Sequence, residues 1–254
     1  MPQLPLLQKI LFLLVGCAAL LLLILVIYPR VYIRLLAQAT PQLTFYRDLP
    51  KGSDRVVALT IDDGPYPATT EKILEVLKAK RAHATFFLIG SRIAGQESTV
   101  QRLLQEGHEI GNHELEDRWS IRFSDADYYQ QLDRSHQVLT SLTSPHWYRP
   151  GGGFYRADRL EQVKRLYGYD CALGSVFPND PRIPWVPFMV WHVVTYIFPG
   201  AIIVLHDGPQ GRGERTAVAL EQILDRLSQQ GYRVVNLTEL RDCHESSSSC
   251  STSF

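Results

Sequence analysis

Val56-Val-Ala-Leu-Thr-Ile-Asp-Asp-Gly-Pro65 decides the reading of this chain. Val56 to Ile61 is a short apolar run rich in β-formers, the pattern of a buried strand. It stops at two adjacent carboxylates, Asp62 and Asp63, and Gly64-Pro65 then breaks any regular continuation. Successive side chains of an extended chain point to opposite sides, so the two acids can take different tasks at one strand end. One can bind a metal while the other stays free as a base. A solvated Asp-Asp turn capping the next helix is the plainer reading of these residues alone.

Outward from that stretch, apolar runs and helical segments alternate. A helix is expected over 68–81, with Ile73, Leu74 and Leu77 at helical spacing, and a second strand over 84–89. A helix over 97–105, a strand over 108–111 and a long helix over 125–142 follow. Strands over 146–149, 169–174, 201–205 and 233–236 complete the series, with helices over 157–167 and 214–229. Gly231 closes the last helix. Such alternation argues for a parallel sheet, either a barrel or a doubly wound sheet. In barrels of this kind the active site lies at the C-terminal ends of the strands. Asp62 and Asp63, His113, Arg149, His206 and Asp207 all fall at or just after strand ends.

The flanks differ from this middle. Ile10 to Tyr28 carries no charge and spans roughly 28 Å as a helix, close to the hydrocarbon thickness of a bilayer. We read it as an uncleaved transmembrane anchor. A cleaved signal peptide, with Ala37-Gln-Ala39 as its small-residue site, is the competing reading. Lys9 on one side and Arg30 and Arg34 on the other leave the positive-inside rule nearly silent. The division is therefore an N-terminal segment 1–9, an anchor 10–28, a connector 29–54, a catalytic domain 55–242 and a serine-rich, disordered tail 243–254.

In 254 residues, Lys+Arg and Asp+Glu each number 26, so nothing suggests a nucleic-acid partner. Cys17, Cys171, Cys243 and Cys250 match no zinc spacing and no disulfide framework, although Cys243 and Cys250 could pair outside the cell.

In Gly111-Asn-His-Glu-Leu-Glu-Asp117, His113 precedes Asp117 by four residues. If a helix begins there, the two side chains share a face and form a plausible metal-ligand pair, with Asp63 as a third donor. A surface ion pair or a cap is the alternative. Tyr148-Arg-Pro-Gly-Gly-Gly153 sets a fixed charge at a strand end before glycines whose N–H groups can face an oxyanion. His206 directly follows the most apolar strand and suits general-acid work. His108 and His192 read as structural.

Thr60-Ile-Asp-Asp-Gly-Pro65, Ala84-Thr-Phe-Phe-Leu-Ile-Gly90, Ile110-Gly-Asn-His113, Arg149-Pro-Gly-Gly-Gly153 and Ile203-Val-Leu-His206 together resemble the ordered motifs of polysaccharide deacetylases with a NodB-like homology domain, carbohydrate esterase family 4. The resemblance covers about residues 54–242. It implies an α/β fold, a distorted (β/α)7 barrel, and a metal-dependent hydrolase that removes N-acetyl or O-acetyl groups from sugars. One divalent metal is implied, usually Zn2+, with Mn2+, Fe2+ or Co2+ as alternatives. By resemblance Asp62 is the catalytic base, Asp63 and His113 are metal ligands, Arg149 orients the base, His206 is the acid, and Gly152 supplies an oxyanion N–H. Two departures stand out. Asp117 occupies the place of the family's second histidine, and the family's Asp-Trp motif has no clean match. Asp180 is the nearest partner for His206, and Trp185 the nearest pocket wall.

The expectation is thus a deacetylase of an acetylated amino-sugar polysaccharide, such as chitin-like oligomers or peptidoglycan. It is membrane-anchored through residues 10–28, with its catalytic domain outside the cytoplasm. The alternative is a catalytically silent carbohydrate-binding relative with a degenerate metal site.

Overall fold

The computed structural model describes residues 5–27, 34–35, 37–45 and 54–245. In chain order its elements are α1 (Leu6–Ile27), β1 (Thr44–Phe45), β2 (Val56–Asp62), α2 (Pro67–Lys80), β3 (Thr85–Leu88), α3 (Glu97–Gln105), β4 (Glu109–Asn112), α4 (Asp125–Thr140), β5 (Trp147–Tyr148), α5 (Ala157–Tyr167), β6 (Asp170–Ala172), α6 (Val186–Tyr196), β7 (Ile202–His206), α7 (Arg212–Gln229), β8 (Arg233–Val235) and α8 (Leu237–Glu245).

Strand β2 is buried at every position, as its unbroken apolar run requires. Its odd and even residues serve different cores. Val57, Leu59 and Ile61 pack in one cluster with Ile73, Leu74 and Leu77 of α2 and Leu220, Ile223 and Leu227 of α7. Val56 and Ala58 join a second cluster with Phe87, Trp147, Ile202 and, from α8, Leu237 and Leu240. This is the period of two expected of a strand with helices on one face and the inside of a curled sheet on the other. Thr60 and Asp62 continue that inner row, where a polar site replaces the apolar filling.

The sheet runs β1-β6-β5-β4-β3-β2-β7, with β8 also paired to β2, and every pairing is parallel. It curls until Val176, beyond β6, bridges Ile203 of β7. The result is a curled parallel sheet wrapped by helices, a half-barrel consistent with the distorted (β/α)7 fold that the family resemblance implies. Register sets the site. Asp62 lies opposite both Phe87 and His206, and Asn112 opposite both Leu88 and Tyr148. Asp62, His113, Arg149 and His206 therefore emerge on one C-terminal edge.

Three features differ from expectation. Helix α6 occupies a stretch predicted without an element; it buries His192 among Phe188 and Tyr196. Strand β1 lies in the predicted connector, beside β6. The tail predicted as disordered from residue 243 is helical as far as Glu245, because Leu237 and Leu240 anchor α8 in the inner cluster. Cys243 is disulfide-bonded, whereas Cys17 and Cys171 are free.

Residues 10–27 of the expected anchor are helical, within α1. Leu11, Phe12, Leu13, Leu14 and Leu21 of this helix are all exposed. Among the described residues, no helix is long and apolar enough to cross a membrane.

Candidate active site

Asp62 ends β2, and Asp63 follows it with φ of 72°, a left-handed conformation that aspartate tolerates better than most residues. That twist cancels the strand alternation expected of the pair. Both carboxylates turn toward one imidazole: His113 Nε2 lies 3.5 Å from Asp63 Oδ1 and 3.9 Å from Asp62 Oδ2. His113 follows β4 and donates from Nδ1 to the Arg149 carbonyl at 2.7 Å, which aims Nε2 at the carboxylates.

Arg149 follows β5 and reaches across the inside of the sheet. Its Nη1 donates to Asp62 Oδ1 at 2.6 Å and to Thr60 Oγ1 at 2.7 Å, and its Nε to the Ala172 carbonyl at 3.0 Å. The guanidinium lies 4.1 Å from the centroid of the Phe87 ring. Asp62 is thus fixed by one oxygen, and its other oxygen faces His113.

At the end of β7, His206 Nδ1 donates to Asp180 Oδ1 at 3.0 Å, and its backbone N–H donates to Asp180 Oδ2, also at 3.0 Å. Burial alone would lower the His206 imidazole; the Asp180 carboxylate overcomes that and raises it to about 9. His113 likewise rises to about 9, burial opposing and Asp63 and Asp62 raising. Burial would raise Asp63, but His113, His206 and Arg212 hold it well below the usual carboxylate range.

Asp117 is not part of this group. Glu114 takes φ of 67°, so no helix starts at His113 and the spacing of four residues does not place the two side chains on one face. The half-exposed Asp117 carboxylate instead accepts from Arg92 Nη2 at 3.0 Å. Among the described residues, no three histidine, cysteine, aspartate or glutamate side chains are grouped to hold a metal. What remains is Asp63 with His113. Their 3.5 Å separation suits a shared ion, since donors about 2.0–2.2 Å from a tetrahedral zinc stand roughly 3.3–3.5 Å apart. The residues present fit a divalent cation through two donors, with Asp62 next to them.

Three residues of the site escape sequence reasoning. Arg212, from α7, donates to Asp63 Oδ2 at 2.9 Å. Arg92 donates to the Asp63 carbonyl while stacking on Tyr66. Phe177 lies against His206 with ring centroids 5.5 Å apart, whereas Trp185, the expected wall, is a 63% exposed residue at the start of α6. None of the three has a local signal, since each arrives from a distant turn. Gly152 has φ of 73° on the loop after Arg149 and is exposed. Asp207 points away from the edge: Thr69, Thr70 and the Gly208 N–H hold it buried, tying α2 to β7.

A curled parallel sheet bearing two carboxylates, an arginine and two histidines on its C-terminal edge is an arrangement suited to acid–base chemistry. The chain belongs to the polysaccharide deacetylase family, carbohydrate esterase family 4, whose sequence model matches residues 50–172. It is 37% identical to a peptidoglycan-N-acetylglucosamine deacetylase of Bacillus cereus, over 74% of this chain and 89% of that protein. It is 33% identical to the Bacillus subtilis peptidoglycan-N-acetylmuramic acid deacetylase PdaC, over 75% of this chain but only 39% of that longer protein. The solved PdaC structure superposes with a TM-score of 0.68 at 31% identity, covering 76% of this chain and 92% of that one. A family pseudoenzyme from Bacillus anthracis superposes with a TM-score of 0.69 at 27% identity, covering 78% and 68%.

Proposed function

We propose that the protein hydrolyses acetyl groups, foremost N-acetyl groups, from an amino-sugar polysaccharide of the peptidoglycan or chitin-oligomer class. The observation that carries this reading is the pairing of a fixed acid with a fixed base: Asp62 on Arg149 at 2.6 Å, and His206 on Asp180 at 3.0 Å. Arg149 occupies one oxygen of Asp62 and leaves the other to take a proton from the attacking water. His206, raised to about 9, remains protonated at neutral pH and donates to the departing amine. Gly152, an exposed residue on the loop after Arg149, would offer its backbone N–H to the oxyanion. Asp63 and His113 would hold one divalent cation, zinc, manganese or iron by donor type, which when bound polarises the acetyl carbonyl and acidifies the water.

The experiment is acetate release from N-acetylglucosamine oligomers and from peptidoglycan, with and without added divalent metal. Release above the blank that chelation reduces supports the reading. A second reading, a silent carbohydrate-binding relative, is favoured by Asp117 lying on Arg92, and the same assay decides between the two.

We further propose that the apolar run 10–28, whose last residue lies outside the described ones, holds the protein at a membrane and that the catalytic domain lies outside the cytoplasm. Apolar side chains exposed along a helix need a cover other than water. The Cys243 disulfide suits an oxidising compartment. Retention in the membrane fraction after alkaline washing supports the anchor, and a mature N-terminus at Thr40 contradicts it.

A further inference from the structure

Beyond the catalytic edge, Trp119 and Phe154 stand together with ring centroids 5.8 Å apart, and remain 41% and 37% exposed. A Cβ on Gly152 would lie 3.0 Å from Trp119 Cδ1 and 3.1 Å from Nε1, so the indole edge rests on the Gly152 backbone. The same loop begins at Arg149, whose side chain holds Asp62 and whose carbonyl holds His113. Two large aromatic rings are thus kept in solvent at the loop that leaves Arg149, where burial in the core would have been the favourable use of their surface. The Arg122 guanidinium lies 4.8 Å from the Trp119 centroid. The neighbouring Arg156 and Arg159 are committed to Asp125 and Asp158. Among the described residues, Arg122 has no carboxylate partner, and this ring contact is its one side-chain interaction.

We propose that Trp119, Phe154 and Arg122 form a sugar subsite that selects an amino-sugar unit bearing a carboxylate. The proposal rests on the amino-sugar reading above and narrows it to an acidic polymer. A pyranose presents an apolar face of axial C–H bonds, weakly positive, which matches the negative face of an aromatic ring. A guanidinium laid on indole keeps its N–H edge free, and that edge accepts a carboxylate through two parallel hydrogen bonds. The cation covers one face of the indole and Phe154 stands beside that ring, so a sugar unit lying on the remaining exposed ring surface can reach the guanidinium edge. A neutral oligomer would use the rings alone.

The test measures equilibrium binding, without added metal, of three probes: peptide-free glycan strands carrying free lactyl carboxylates, the same strands with those carboxylates amidated, and chitotetraose. The parent should bind the acidic strands about tenfold more tightly than the amidated ones, the scale of one charge-assisted pair. Arg122→Gln should abolish that difference and leave affinity for the two neutral probes unchanged. Trp119→Ala should weaken all three, with an unchanged circular dichroism spectrum and thermal midpoint as the check on folding. Equal affinity of the parent for acidic and amidated strands, an unchanged difference in Arg122→Gln, or no binding of any probe overturns the subsite. Acetate release is read in parallel. Acid-selective binding with no acetate from any probe keeps the subsite and sinks the deacetylase reading, so the two failures are distinguishable.

Discussion

Arg212 Nη1 lies 2.9 Å from Asp63 Oδ2, so a guanidinium already neutralises the carboxylate whose other oxygen faces His113. A cation held by Asp63 and His113 would share Asp63 with a fixed positive charge. Like unit charges a few Å apart repel by roughly 3–4 kcal/mol at an effective permittivity of about 20. Arg212→Gln is expected to tighten binding of zinc or manganese by about ten- to a hundredfold, measured by competition with a chromophoric chelator. Unchanged or weaker binding would show that the arginine serves mainly to orient Asp63.

Asp117→Ala is expected to leave metal affinity within about twofold of the parent, because an exposed ion pair contributes little and this carboxylate is turned to Arg92. The same titration checks it. A sharp loss would restore Asp117 to the ligand set that the sequence suggests.

For Asp62→Asn the expected outcome is a loss of about 10²- to 10⁴-fold in turnover, the usual cost of removing a general base. Metal affinity should change far less, since Asp63 and His113 remain. Near-parental acetate release would remove Asp62 from the base role.

Activity should fall as pH rises through about 9, where His206 loses its proton. The stabilising share of the His206–Asp180 pair runs the same way: a folded value raised above the ordinary 6.5 means it is complete below about 6.5 and lost as pH climbs through about 9. Asp180→Asn should move the alkaline limb of the rate profile to lower pH. A limb that does not move would assign it to another group.

How much of this was legible in the sequence depends on how local the signal is. The strands from β2 onward were readable because each is a short apolar run closed by polar or turn residues. Helix α6 was missed because its apolar residues, with Pro187 inside its first turn, show no amphipathic stripe to separate them from a buried loop. Asp117 misled because spacing of four residues implies a shared face only in a helix, and a left-handed Glu114 removes the helix. Asp180 could be named only from the family motif order, and the structure brings it to His206. Arg212 had no sequence signal at all, since the chain runs from Asp63 through most of the fold before α7 supplies it.

The bridge between Val176 and Ile203 has a mechanical consequence. Along the join between β6 and β7 the ladder is one isolated pair, with Ser175, Val176 and Val204 N–H groups donating across it, so this is a thinly held seam of the wall. Asp180 comes from one lip of that seam and His206 from the other, so the bond between them is a clasp as well as a proton-donor support. When the imidazole loses its Nε2 proton the Nδ1–H bond to Asp180 remains but loses its charge assistance, so the clasp weakens. Amide exchange at Val204, which bonds across the seam to Val176, should therefore quicken in Asp180→Ala while exchange in β3 stays slow.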